Sequence, residues 1–219
     1  MTDPTAMRDP GKAFKENPRK ELTIDLIHDA VGPLYGHVGE EGDGNEFARS
    51  HTEQHMRVSG VLKLGDEDAI SINGWGLRDH SWGPRYWQAT PSYRWITGNF
   101  GDDLGMVITC GANGEGRGLF HEGEEIIRVE KAVLSTEYLE NTLYHRNLSI
   151  DLDLADGRKR HLDGKVMGYI PLRNRRAGAN THVGEGMTEY TLDDGRKGYG
   201  LSEYLTQPDD QGLESERTE

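Results

Sequence analysis

Met56-Arg57-Val58-Ser59-Gly60-Val61-Leu62-Lys63-Leu64, then Gly65-Asp66-Glu67-Asp68, then Ala69-Ile70-Ser71-Ile72-Asn73: two apolar-rich runs separated by a turn-forming tetrapeptide form a β-hairpin signature. The pattern continues outward in both directions. Upstream, Glu21 to His28 alternates, with Leu22, Ile24 and Leu26 on one face and Thr23, Asp25 and Ile27 on the other. Downstream, strand-like runs cover residues 92–100, 104–111, 116–121, 126–134, 142–154, 160–170, 186–192 and 198–205. Asp156-Gly157 and Asp193-Asp194-Gly195 mark two more hairpin turns, where glycine accepts the positive φ that the turn demands. Many of the 29 glycines sit in such contexts. Only residues 135–144 suggest a helix of any length. The expected fold is all-β and antiparallel, closed as a barrel or folded as a sandwich. A barrel of about eight strands can enclose one small ligand.

The functional signal is the stretch Gly74-Trp75-Gly76-Leu77-Arg78-Asp79-His80-Ser81-Trp82-Gly83-Pro84-Arg85-Tyr86-Trp87. The chain has 4 tryptophans, and Trp75, Trp82, Trp87 and Trp95 crowd into this neighbourhood. A core segment would avoid the polar groups, and a solvent loop would avoid the indoles. The mixture suits the wall of an apolar cavity carrying a few fixed polar side chains. Asp79 beside His80 is the candidate proton-transfer pair, since a carboxylate fixes an imidazole tautomer and histidine titrates near neutrality. The structural alternative is an Arg78–Asp79 pair that holds a bulged strand. Arg85 would orient a polar substituent, while Trp75, Trp82 and Trp87 stack on the ligand body.

Two further polar clusters adjoin this picture. His51-Thr52-Glu53-Gln54-His55 leads into the hairpin, and Glu53 is a candidate to enter the same cavity. His51 and His55 stand four apart, but Glu53 sits midway between them instead of directly after the first histidine as in a His-Glu-x-x-His zinc site, and the stretch reads as extended, so no metal is expected. Gly198-Tyr199-Gly200-Leu201-Ser202-Glu203-Tyr204 places Glu203 on a face with Tyr199, as a cavity acid or on a solvated edge. Gly111-Ala112-Asn113-Gly114-Glu115-Gly116 lacks the helix and Lys-Ser/Thr of a P-loop and reads as a hairpin turn.

Composition excludes several classes. A net charge of −13 repels phosphate backbones and anionic membranes, so nucleic acid is not an expected partner. The short basic run Arg173-Asn174-Arg175-Arg176 reads as a solvated loop. A single cysteine, Cys110, in a strand-like apolar run, excludes a disulfide framework and multi-cysteine metal sites. No apolar run approaches the ~18 residues that a membrane helix needs, and no signal peptide is visible. A soluble, cytoplasmic protein is expected, using no organic cofactor.

Glu53-Gln54, Arg57-Val58-Ser59-Gly60 and the run from Gly74 to Arg85 together resemble a bacterial branch of the AttH-like, lipocalin-related group. The carotenoid hydratases (hydroxyneurosporene synthases) are its best-known distant relatives. The resemblance covers roughly residues 50–205, and Arg78-Asp79-His80-Ser81-Trp82-Gly83 is its specific part. It implies a lipocalin-like (calycin-type) β-barrel and cofactor-independent chemistry on a terpenoid, steroid or polyketide-like skeleton in secondary metabolism. The implied reactions are hydration or dehydration, cyclisation and isomerisation, the work of a lyase or isomerase. Catalysis would fall to Asp79 and His80. Arg78, Ser81, Trp75, Trp82, Arg85, Trp87, Glu53 and Glu203 would contact the ligand. Family members usually have two consecutive barrels. The expected organisation here is a flexible tail over 1–20 and a strand with a Gly-rich connector over 21–48, the remnant of a first barrel. The barrel then occupies 49–205, and a flexible acidic tail 206–219. A half-missing cavity would be completed by a homo-oligomer or a hetero-complex. The alternatives to an enzyme are a carrier of a hydrophobic ligand and an interaction module.

Overall fold

The structure is a computed structural model that describes residues 4–40, 42, 46–140, 142–176 and 178–207. A 3-10 turn (Pro4–Arg8) and the short helix α1 (Pro10–Glu16) precede twelve strands. These are β1 (Leu22–Ala30), β2 (Tyr35–Val38), β3 (Ser50–Leu64), β4 (Ile70–Trp82), β5 (Ser92–Asn99) and β6 (Leu104–Cys110). β7 (Glu115–Glu122), β8 (Glu125–Tyr138), β9 (His145–Leu154), β10 (Lys159–Arg176), β11 (Ala179–Leu192) and β12 (Lys197–Thr206) follow.

Strands β5 to β12 close into an antiparallel barrel in the order β10-β11-β12-β5-β6-β7-β8-β9, a lipocalin-like architecture. Alternation along each strand decides which residues fill it. Ile96, Met106, Ile108, Phe120, Ile150, Leu162, Tyr190 and Tyr204 belong to one buried cluster. Each fully buried aliphatic or aromatic side chain contributes about 1.5–3 kcal/mol relative to exposure. His145 also lies inside, stacked on Tyr204 with ring centroids 3.9 Å apart and Nε2 2.8 Å from Ser202 Oγ. The barrel is thus a packed core, and the expectation of a Trp-lined cavity inside it is corrected. Trp95 stands next to Ile96 on β5 and points outward, as the two-residue strand period requires.

The first four strands form a second sheet, with β3 in its middle. β3 has 15 residues, long enough for β1 and then β2 to pair along one edge while β4 pairs along the other. Gly60 makes the close pairing with β1 possible: its φ is +147°, and a Cβ there would sit 2.1 Å from the Asp25 carbonyl oxygen. One face of this sheet leans on the outside of the barrel. The other carries Leu22, Ile24 and Ile70, each more than half exposed, with Leu62 and Leu64 between them in the register.

Several expectations change here. The closed barrel begins at Ser92, so residues 50–82, expected to open it, form the hairpin of the flanking sheet. Among the described residues of 135–144 none is helical. β8 runs on to Tyr138 because Ala132 and Leu134 are buried two residues apart, a strand period. The N-terminal residues expected as a tail form the 3-10 turn, which packs on β10, and helix α1, which buries Ala13. The Arg173–Arg176 run ends β10 rather than forming a loop, with Arg175 3.5 Å from Asp9. The expected acidic tail lies outside the described residues from position 208 on. Among the described residues no helix is long and apolar enough to cross a membrane.

Candidate functional site: a cleft between sheet and barrel

The β3–β4 hairpin is symmetric about Asp66: Leu62 pairs with Ile70, Glu53 with Asp79, and Ser50 with Trp82. Directly paired residues share a face of the sheet. His51, Glu53 and Asp79 therefore all point at the barrel. Facing them are Tyr93 and Trp95 from β5, Thr109 from β6 and Glu203 from β12. Phe47 and the connector residues Arg85, Trp87 and Thr90 complete the walls of a cavity of about 520 Å³. That volume suits a small ligand with an extended apolar body. The connector is pinned at its far end, where Gln207 Nε2 donates to the Trp87 carbonyl at 2.8 Å.

The chemistry concentrates on the sheet side. His51 Nε2 lies 2.5 Å from Asp79 Oδ1. That contact holds the Asp79 carboxyl below its ordinary value and raises His51 above its own. Glu53 is buried, and its carboxyl is raised by burial and by the Asp79 charge across the strand pair. The indole N–H of Trp95 donates to Glu53 Oε1 at 3.0 Å and ties sheet to barrel. On the barrel side, Tyr93 donates its hydroxyl hydrogen to Glu203 Oε1. Arg85 stacks over the Phe47 ring at 4.6 Å, and Phe47 meets Tyr93 edge-on at 5.5 Å.

The expected Asp79–His80 pair does not form. Neighbours on an extended strand point to opposite faces. Asp79 enters the cleft and His80 turns away, its Nδ1 accepting from Arg78 Nη2 at 3.0 Å and its ring packing on Trp82 at 5.0 Å. Arg78, His80 and Trp82 thus share the outer face of β4. Ser81 pairs with His51 in the register but does not line the cleft. Trp75 lies beyond the cleft, where it donates to Asp102 Oδ1 at 2.7 Å while Arg57 holds the other oxygen at 2.8 Å. Of the expected site residues, the cleft brings together Glu53, Asp79, Arg85, Trp87 and Glu203.

Comparisons with other proteins fit this layout. A family profile described as Domain of unknown function (DUF7064) matches residues 6–208. The chain belongs to the DUF7064 family. No curated protein matches it. Among solved structures, it is similar to a Nitrosomonas europaea protein provisionally named as an AttH, with a TM-score of 0.57 and 16% identity. The likeness covers 86% of this chain and 62% of the other, so the DUF7064 chain spans less than two thirds of that protein's length. At this identity the likeness speaks for the fold.

Sequence reasoning missed His51 as the partner of Asp79, missed Phe47 and Tyr93, and counted Trp95 in the aromatic neighbourhood without placing it against the ligand. A signal for His51 existed. Extending the hairpin symmetrically from its turn places Glu53 opposite Asp79, with His51 two residues away on the same face. The barrel-side residues carried no such signal, because packing between two sheets is not written in either one's period. His55, once grouped with His51, goes elsewhere: its ring stands 4.7 Å from that of His121 on β7, both fully buried.

Proposed function

We propose that this chain binds a hydrophobic small molecule in the cleft between sheet and barrel and transfers protons on it. The observation that carries the reading is the His51–Asp79 contact of 2.5 Å opening onto an aromatic-walled cavity, with Glu53 directly across from Asp79. His51, oriented by the Asp79 carboxylate, is the base. Glu53, pushed by burial toward its protonated form, is the acid. Environments that push neighbouring titratable groups toward opposite tasks are how acid and base coexist in one site. Both come from side chains, so the proposed chemistry calls on no cofactor. The reactions that fit are hydration or dehydration, isomerisation, and cyclisation of an isoprenoid or polyketide-like skeleton. The AttH name of the structural neighbour and the resemblance to carotenoid hydratases support that range.

Farnesol and its geranylgeranyl homologue are suitable probes, with binding followed by quenching of Trp87 and Trp95 and conversion followed by mass spectrometry. Asp79→Asn and His51→Gln are expected to lower conversion by about 10² to 10⁴ while leaving binding within roughly tenfold. Absence of quenching by every isoprenoid probe would overturn the reading. A carrier role is the second reading, favoured by the half-exposed carboxyl of Asp79 at the cleft rim. It takes first place if wild type binds these probes and returns them all unchanged.

A further inference from the structure

We infer that the cleft selects a hydrophobic ligand bearing a positive charge, such as a tertiary amine or quaternary ammonium on an apolar body, held by Glu203 and the aromatic faces of Tyr93 and Trp95, with Glu185 behind Glu203 on the neighbouring strand. This inference rests on the cleft being the ligand site and adds the charge of what enters it. Glu185, Glu203 and Trp95 stand side by side across β11, β12 and β5, directly opposed in the register. Like charges directly opposed on an antiparallel pair repel. Two escapes exist: the pair shares a proton, or it holds a cation.

In the absence of ligand the proton serves. Glu185 is held up at about 8 by burial and by Glu203, with no cation among the groups acting on it. Its Oε2 is buried without a hydrogen-bond partner. The sheet side repeats the theme, with Glu53 opposite Asp79. Against these carboxyls the cleft sets Arg85, which is stacked on Phe47, and His51, which is paired to Asp79. Carboxyl groups outnumber cationic side chains here, and Glu53 and the Glu185 Oε2 are buried. A bound ammonium would let the Glu185–Glu203 pair give up its proton and keep both charges satisfied. A neutral ligand leaves the pair protonated, and an anion adds a charge of the same sign. The aromatic rings serve the same end, since their faces attract cations.

The experiment compares three probes of one chain length as monomers: dodecyltrimethylammonium, dodecanol and dodecanoate. Binding is read by tryptophan quenching, with proton release measured by calorimetry in two buffers. The ammonium probe is expected to bind at least about tenfold tighter than the alcohol at about pH 9. Its advantage shrinks toward about pH 6 as protons compete, while the alcohol's affinity stays flat. Glu203→Gln and Glu185→Gln bring the two affinities together. Alcohol binding as tight as ammonium binding, or a cation preference that survives Glu203→Gln, overturns the inference and leaves the proposed function standing. Failure of all three probes to bind contradicts both.

Discussion

Replacing His55 with asparagine is expected to remove one buried histidine's share of the protein's sensitivity to acid. His55 joins β3 to the barrel, fully buried beside His121 and with both ring nitrogens lacking a hydrogen-bond partner. Burial, reinforced by His121, lowers it from 6.5 to about 4. A histidine lowered in this way binds a proton more readily unfolded than folded. Stability is therefore complete above about 6.5 and is lost as the pH falls toward 4. A displacement of that size is worth about 3 kcal/mol at about 1.4 kcal/mol per tenfold. That is a large part of the roughly 5–15 kcal/mol that holds a typical domain together. The assay is urea unfolding monitored by tryptophan fluorescence between about pH 7.5 and about pH 4.5. His55→Asn starts less stable by about 1–3 kcal/mol at the upper pH. Its loss on acidification is smaller than that of the wild type by about 2–3 kcal/mol. His145, lowered to about 3, and His182, lowered to about 4, lose stability in the same direction in both proteins and cancel in the comparison. Equal losses in the two proteins would refute the reasoning.

Cys110 faces the barrel core and its thiol is pushed up to about 11 by burial, so maleimide is expected to label it only as fast as the chain unfolds. Rapid labelling in native buffer would contradict the packed barrel. The face carrying Leu22, Ile24 and Ile70 is expected to drive association, so a lysine at each position converts a larger species to a monomer by light scattering. A wild-type monomer at micromolar concentration would contradict this. Gly60→Ala is expected to destabilise by more than about 2 kcal/mol, because the added methyl meets the Asp25 carbonyl and the backbone sits at positive φ. Unchanged urea midpoints would show that β1 detaches at little cost.

The strand pattern was legible where a strand buries one face, because that writes a period of two into the chain. His145–Leu154 shows it plainly, with Leu148, Ile150, Leu152 and Leu154 buried at every second position. Residues 135–138 were misread because Ser135, Glu137 and Tyr138 are permissive in either state, and their burial partners lie far along the chain. The division into sheet and barrel was not legible. Alternation on β3 looks the same whether its inner face meets a barrel interior or a barrel exterior. The same ambiguity affected the site. Asp79 was found because it stands among tryptophans, yet its sequence neighbour His80 was taken for its partner. The partner His51 is brought to it by hairpin register. Trp75 and Trp82 drew attention by type, but Trp75 anchors a loop through Asp102 and Trp82 packs on His80 outside the cleft. Glu185 stood on a strand whose inward and outward faces both carry polar residues, and only the barrel's closure shows which way it points.

The central claim is that the ligand lies outside the barrel, between its wall and the β3–β4 hairpin. A crystal structure with dodecyltrimethylammonium or farnesol bound tests it most directly. Ligand density is expected bordered by Trp87, Trp95, Asp79 and Glu203, with the barrel core of Ile96, Phe120 and Tyr190 unchanged. Density inside the barrel, or on the exposed face of Leu22 and Ile70 with the cleft empty, would contradict it.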